Sequence, residues 1–80
     1  MIVKVLGSGC ANCHKLEDLV RKAVEANDID AEVVMVTDMP QIMAYGVMST
    51  PALVIDEKLV VAGRVPSYDE VVTFIKRFAE

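Results

Sequence analysis

LGSGCANCHKLED, Leu6 to Asp18, contains the chain's two cysteines, Cys10 and Cys13, with His14 directly after them. An apolar run ends in this stretch and a helical pattern begins. C-x-x-C-H fits three chemistries: a redox dithiol, a metal clamp, or a haem attachment sequence. The segments on either side decide among them.

Before the cysteines, Ile2 to Leu6 is a short apolar run broken only by Lys4, and Gly7 and Gly9 end it. It reads as a buried strand entering a loop. From Cys13 the period changes. Leu16, Leu19, Val20, Ala23 and Val24 fall on one helical face, and Glu17, Asp18, Arg21, Lys22 and Glu25 on the other. Asn27 and Asp28 are natural terminators. Ala31 to Thr37 is rich in β-branched residues and reads as a second strand. Asp38, with Gln41 three residues on, opens a short helix that Gly46 ends. Ser49-Thr50-Pro51 is a polar turn. Ala52 to Ile55 and Leu59 to Ala62 form a hairpin joined by Asp56-Glu57-Lys58. Ser67 with Glu70 is a capping box for a last helix with Val71, Phe74, Ile75 and Phe78 inward.

The order β-α-β-α-β-β-α predicts an α/β fold. The first β-α-β unit gives two parallel strands with a right-handed crossover, and the hairpin adds antiparallel neighbours. The expected result is a four-stranded mixed sheet flanked by helices. Eighty residues, 54% hydrophobic and 25% charged, make one domain spanning 1–80 with a modest core. The net charge of −4, with no basic run, argues against nucleic acid. No apolar run reaches the ~20 residues of a membrane helix. MIVKVL is too short for a signal peptide's apolar core, so a cytoplasmic location is expected. There a lone cysteine pair points to redox or metal chemistry rather than a static disulfide.

A strand-to-helix junction suits redox chemistry. Side chains three apart on one helical turn lie about 5–6 Å from each other, within the Cα separation of a disulfide. Cys10 sits at or before the first turn, where free N–H groups and the helix dipole favour an anion. His14 and Lys15 add positive charge nearby. Cys10 is therefore the candidate nucleophile. Cys13, one turn inside, is the candidate resolving thiol. His14 is a candidate modulator of the Cys10 pKa or a metal ligand. The glycines before Cys10 leave the loop uncluttered for an approaching sulfur. Met39, Met43 and Met48 are candidates for a pliable partner surface, and Met35 for that surface or for core filling.

The whole pattern, with Thr-Pro placed before a hairpin, resembles the thioredoxin/glutaredoxin fold. More closely, GSGCANC, MSTPALVID and VAGRVPS resemble the small prokaryotic thioredoxin-like proteins called redox-active disulfide protein 2. The resemblance implies that Pro51 is cis and lies against the disulfide, and that Thr50 offers its backbone to an extended substrate chain. It implies a protein disulfide oxidoreductase acting on partner-protein disulfides, served by a reductase and needing no cofactor beyond the Cys10–Cys13 pair. A monomer is expected. The chain departs from thioredoxins around the cysteines and on the first strand. Gly-Ser-Gly precedes Cys10 where aromatic residues are usual. Ala11-Asn12 stands where Gly-Pro is usual, and Lys4 occupies the position of a buried acid that helps proton transfer.

Metal binding is the alternative: a non-enzymatic carrier of Cu(I) or zinc using the same cysteines. Cys10, Cys13 and His14 supply three ligands, whereas a structural zinc site closes with four. Copper chaperones share the junction but follow the order β-α-β-β-α-β. The helix from Asp38 to Gly46 separates the two patterns. Haem attachment needs export and a haem-enclosing fold, and the strands argue against it.

Overall fold

A computed structural model describes residues 1–7 and 9–79. Seven elements follow in order: β1 (Ile2–Leu6), α1 (Ala11–Ala26), β2 (Glu32–Val36), α2 (Met39–Ala44), β3 (Ala52–Ile55), β4 (Lys58–Ala62) and α3 (Tyr68–Ala79). The four strands form one mixed sheet in the order β2-β1-β3-β4. β1 runs parallel to β2, with Val3 beside Val33 and Val5 beside Met35. β3 lies antiparallel to both β1 and β4. The expected mixed α/β sheet is the one observed.

Side chains alternate across the pleat, so the sheet builds two cores. Val3, Val5, Leu53, Ile55 and Val61 pack with Leu16, Val20 and Ala23 of α1 and with Val71 and Ile75 of α3. On the other face Leu6, Val36, Ala52 and Val54 pack with Ile42 of α2 and with Val47. β3 is buried along its whole length, which explains its unbroken apolar sequence. Each fully buried Leu or Ile contributes roughly 1.5–3 kcal/mol from apolar area removed from water.

Three elements differ in their bounds from the sequence-based expectation. α1 begins at Ala11, ahead of the first periodic residue, because Ala11 and Asn12 are exposed and carry no apolar signal. β2 is one residue shorter at each end. The hairpin turn is Asp56-Glu57 alone, since Lys58 pairs with Ile55. Both turn residues have positive φ, 48° and 69°, as a two-residue mirror-image turn requires. Non-glycine residues adopt this region at a cost of about 1–2 kcal/mol each.

Both capping predictions are realised. Asp38 accepts from the Gln41 N–H at 3.3 Å. At α3 the box is reciprocal: Glu70 N–H donates to Ser67 Oγ at 3.2 Å, and Ser67 N–H donates to Glu70 Oε1 at 3.1 Å. The Arg64 guanidinium forks onto the same carboxylate at 2.8 and 3.2 Å. Arg64, and then the Ser67 backbone, hold the Glu70 carboxyl down at about 2.

The sign of the acid response follows. The Glu70 carboxyl titrates at about 2 in the folded protein, below the usual carboxylate range, so its contribution is complete above that range and is lost as the pH falls toward 2. Glu70→Gln should therefore lower the thermal midpoint at neutral pH and flatten its decline between pH 5 and 2. Parallel thermal melts across that range check this. Equal slopes for the two proteins would show that the Arg64–Glu70–Ser67 cluster does not couple to folding.

Candidate active site

Cys10 is the N-cap of α1. Its backbone is extended, with φ −71° and ψ 162°. Its carbonyl already accepts the first helical bond, from the His14 N–H at 3.1 Å. Its sulfur accepts from the Cys13 N–H at 3.2 Å, so a thiol takes the place that Ser or Asp usually fills at a helix start. Cys10 and Cys13 form a disulfide with their Cα atoms 5.1 Å apart. Cys10 is exposed, whereas Cys13 is fully buried. An incoming sulfur can therefore reach only one end of the bond.

The second part of the site comes from the loop before β3. The Thr50–Pro51 peptide bond is cis. Thr50 is exposed and Pro51 is buried. The Pro51 carbonyl accepts from the Gly63 N–H at 2.9 Å, which ties this loop to the end of β4. Gly63 has φ 80°, and a Cβ there would press on Ser49 Cβ at 3.2 Å.

His14 is exposed, with Nδ1 3.7 Å from Glu17 Oε1. Met39, Met43 and Met48 are exposed, Met48 almost completely at 99%. Met35 instead packs against the larger core. Among the described residues no helix is long and apolar enough to cross a membrane. Nor, among them, does any group of three or more His, Cys, Asp or Glu side chains stand where it could hold a metal ion.

Lys4 has a role that the sequence did not reveal. Its ammonium donates to Tyr45 Oη at 2.9 Å and to Glu57 Oε1, and Tyr45 Oη–H donates to Glu57 Oε2 at 2.9 Å. Bonding first to Glu57 and then to Tyr45 holds the Lys4 ammonium above its usual range, and the same contacts hold the Glu57 carboxyl below its own. The signal available in the sequence was the lone charge within an otherwise apolar strand.

Gly7 also differs from expectation. Its bareness serves the inside of the molecule. A Cβ on Gly7 would overlap Cys13 Sγ, lie 3.0 Å from Cys13 Cβ and touch Thr50 Cβ at 3.9 Å. Gly7 is thus the floor on which the buried sulfur and the Thr50 segment meet. Its N–H donates to Val36 O at 2.9 Å, extending the β1–β2 ladder. Gly9, in contrast, is glycine for its backbone: φ is 85° and a Cβ would meet open space. Gly7→Ala should destabilise the oxidised protein by about 1–3 kcal/mol, the usual cost of overpacking. Gly9→Ala also carries a strain cost but no clash with sulfur. Thermal unfolding of both variants, with the disulfide verified by mass, separates the two causes. An unchanged midpoint for Gly7→Ala would mean that the Cys13 pocket yields freely.

Residues 1–76 match a family model described as a thioredoxin domain. A thioredoxin of Methanocaldococcus jannaschii is 36% identical over 80 residues, covering 100% of this chain and 92% of that protein. A thioredoxin of Methanothermobacter thermautotrophicus is 41% identical over 71 residues, covering 89% and 92%. Among solved structures, thioredoxin 1 of Thermosipho africanus TCF52B superposes with a TM-score of 0.62 at 25% identity, over 98% of this chain and 93% of that one. With fold, cysteine pair and sequence kinship in agreement over nearly the whole length, the chain belongs to the thioredoxin-domain family and is a disulfide oxidoreductase.

Proposed function

We propose that the protein exchanges its cysteine pair with disulfides of other proteins, with Cys10 attacking and Cys13 resolving. The observation that carries this is the asymmetry of the pair: one sulfur exposed at a helix N-cap, its partner fully buried one turn on.

In the reduced protein, Cys10 would sit among the free N–H groups of the first turn, which favour the thiolate. The thiolate attacks one sulfur of the substrate disulfide. The other substrate sulfur leaves as a thiolate and takes a proton from solvent. Cys13, once deprotonated, attacks Cys10 Sγ and expels the second substrate sulfur. Two electrons have then passed to the substrate, and the Cys10–Cys13 disulfide has formed. The 5.1 Å Cα separation lets the bond close with little backbone movement. A separate dithiol donor or reductase restores the dithiol. No resident cofactor is needed.

Thr50 is the proposed docking residue, its backbone pairing with an extended substrate segment while buried Pro51 forms the wall beside it. His14 faces Glu17 and is assigned no step. The working unit proposed is one chain in a reducing cytoplasm.

Cys13→Ser should trap mixed disulfides through Cys10 when mixed with an oxidised protein substrate such as insulin, and Cys10→Ser should trap none. Non-reducing gels and peptide mass mapping read the result. Trapping by Cys10→Ser would reverse the assigned roles. Intact mass should fall reversibly by two hydrogens on oxidation. If stoichiometric copper or zinc instead survives gel filtration and blocks alkylation of both thiols, the carrier alternative replaces exchange.

A further inference from the structure

Lys4, Tyr45 and Glu57 lie on three different elements: β1, the C-cap of α2, and the β3–β4 turn. Their side chains form a closed triangle of hydrogen bonds. The Lys4 ammonium also lies 5.6 Å from the centre of the Tyr45 ring. Nothing in the exchange steps uses these groups.

Their position along the chain is informative. Tyr45 and Glu57 are twelve residues apart, and they bracket the segment that contains Thr50, Pro51 and all of β3. From Tyr45 the chain reverses at Gly46, with φ 78°, and buries Val47. It then exposes Met48, Ser49 and Thr50 before burying Pro51. This exposed stretch is suspended between two buried residues. Gly63 holds one end through the Pro51 carbonyl. The other end hangs from α2, which is only six residues long and buries a single side chain, Ile42. So short a helix is weakly held by its own packing. Tyr45 packs against the smaller core, and its hydroxyl ties the end of α2 to the hairpin and, through Lys4, to the strand that leads to the cysteines.

Two further features fit a local role. The Glu57 side chain is 65% exposed, so solvent screens its ion pair and the triangle adds little to overall stability. Yet the chain keeps Glu at a left-handed backbone position, φ 69°, where glycine is the cheapest residue. What glycine lacks is the carboxylate that receives Lys4 and Tyr45.

We propose that Lys4, Tyr45 and Glu57 are positioning residues that set the Met48–Thr50 segment against the cysteine pair, so that an extended substrate chain can dock. This rests on the docking role proposed above for Thr50. The triangle touches neither reacting sulfur nor substrate, and it acts through the end of α2.

The test is steady-state reduction of insulin, with dithiothreitol as electron donor, beside the rate of the reduced protein with a small aromatic disulfide. Tyr45→Phe removes one hydroxyl. Glu57→Gly deletes the carboxylate while relieving the backbone, so it folds. For both, the KM for insulin should rise about three- to tenfold while kcat and the small-disulfide rate stay within about twofold, the split expected when binding rather than chemistry is lost. Lys4→Met should behave alike, and Lys4→Arg should restore the wild-type KM. An unchanged KM in Tyr45→Phe and Glu57→Gly overturns the proposal, as does a parallel fall in kcat, small-disulfide rate and thermal midpoint. Thr50→Lys separates the two ideas. If it raises KM while Tyr45→Phe does not, positioning alone fails. If it leaves KM unchanged, the docking role fails and positioning falls with it.

Discussion

The structure depends on placing one sulfur inside the core while its bonded partner stays at the surface. Cys13 is fully buried and needs room that no side chain at residue 7 would leave. Cys10 must end an extended strand exit and start a helix in the same residue, and its N-cap geometry does both. The strand must therefore stop at Leu6 and the helix start at Ala11. The sheet order follows: β1 lies between β2 and β3, and its exit sits where the Thr50–Pro51 loop arrives.

Much of this was legible in the residues themselves. Periodicity located α1 and α3, and β-branched content located β2. The Ser67–Glu70 box marked the start of the last helix to the residue. That Cys10 and Cys13 can bond was legible because C-x-x-C at a helix start brings the two sulfurs within reach of each other, and they do form a disulfide. Contacts between distant residues were not legible. Lys4 meets Glu57 across 53 positions, and no local pattern announces such a pair. The sequence also left the purpose of Gly7 undecided. A glycine required by a neighbour's sulfur looks the same in one dimension as a glycine required by a turn. The hairpin turn was read one residue too long because Lys58, a polar residue, resembles turn chemistry yet occupies an edge strand, where charge is common.

Lys4 also answers a question raised by family likeness. A charge in the middle of β1 falls on the face of the smaller core. It is accommodated because its stem runs past apolar surface while its head reaches Tyr45 and Glu57. Its side chain remains 24% exposed, so the ammonium is never fully stripped of water. The carboxylate that pairs with Lys4 comes from Glu57, in the turn between β3 and β4.

The two apolar clusters lie on opposite faces of a single sheet, and they differ in size. The larger one joins the two long helices and makes most of the fold. The smaller one underlies α2 and the loop that runs on to Pro51. Inheritance can therefore treat the faces separately. Drift on the outer side of α2, where Met39 and Met43 face solvent, alters what the molecule meets without disturbing what keeps it folded. A substitution at Met39 or Met43 changes the outer surface of α2 and leaves both clusters as they are.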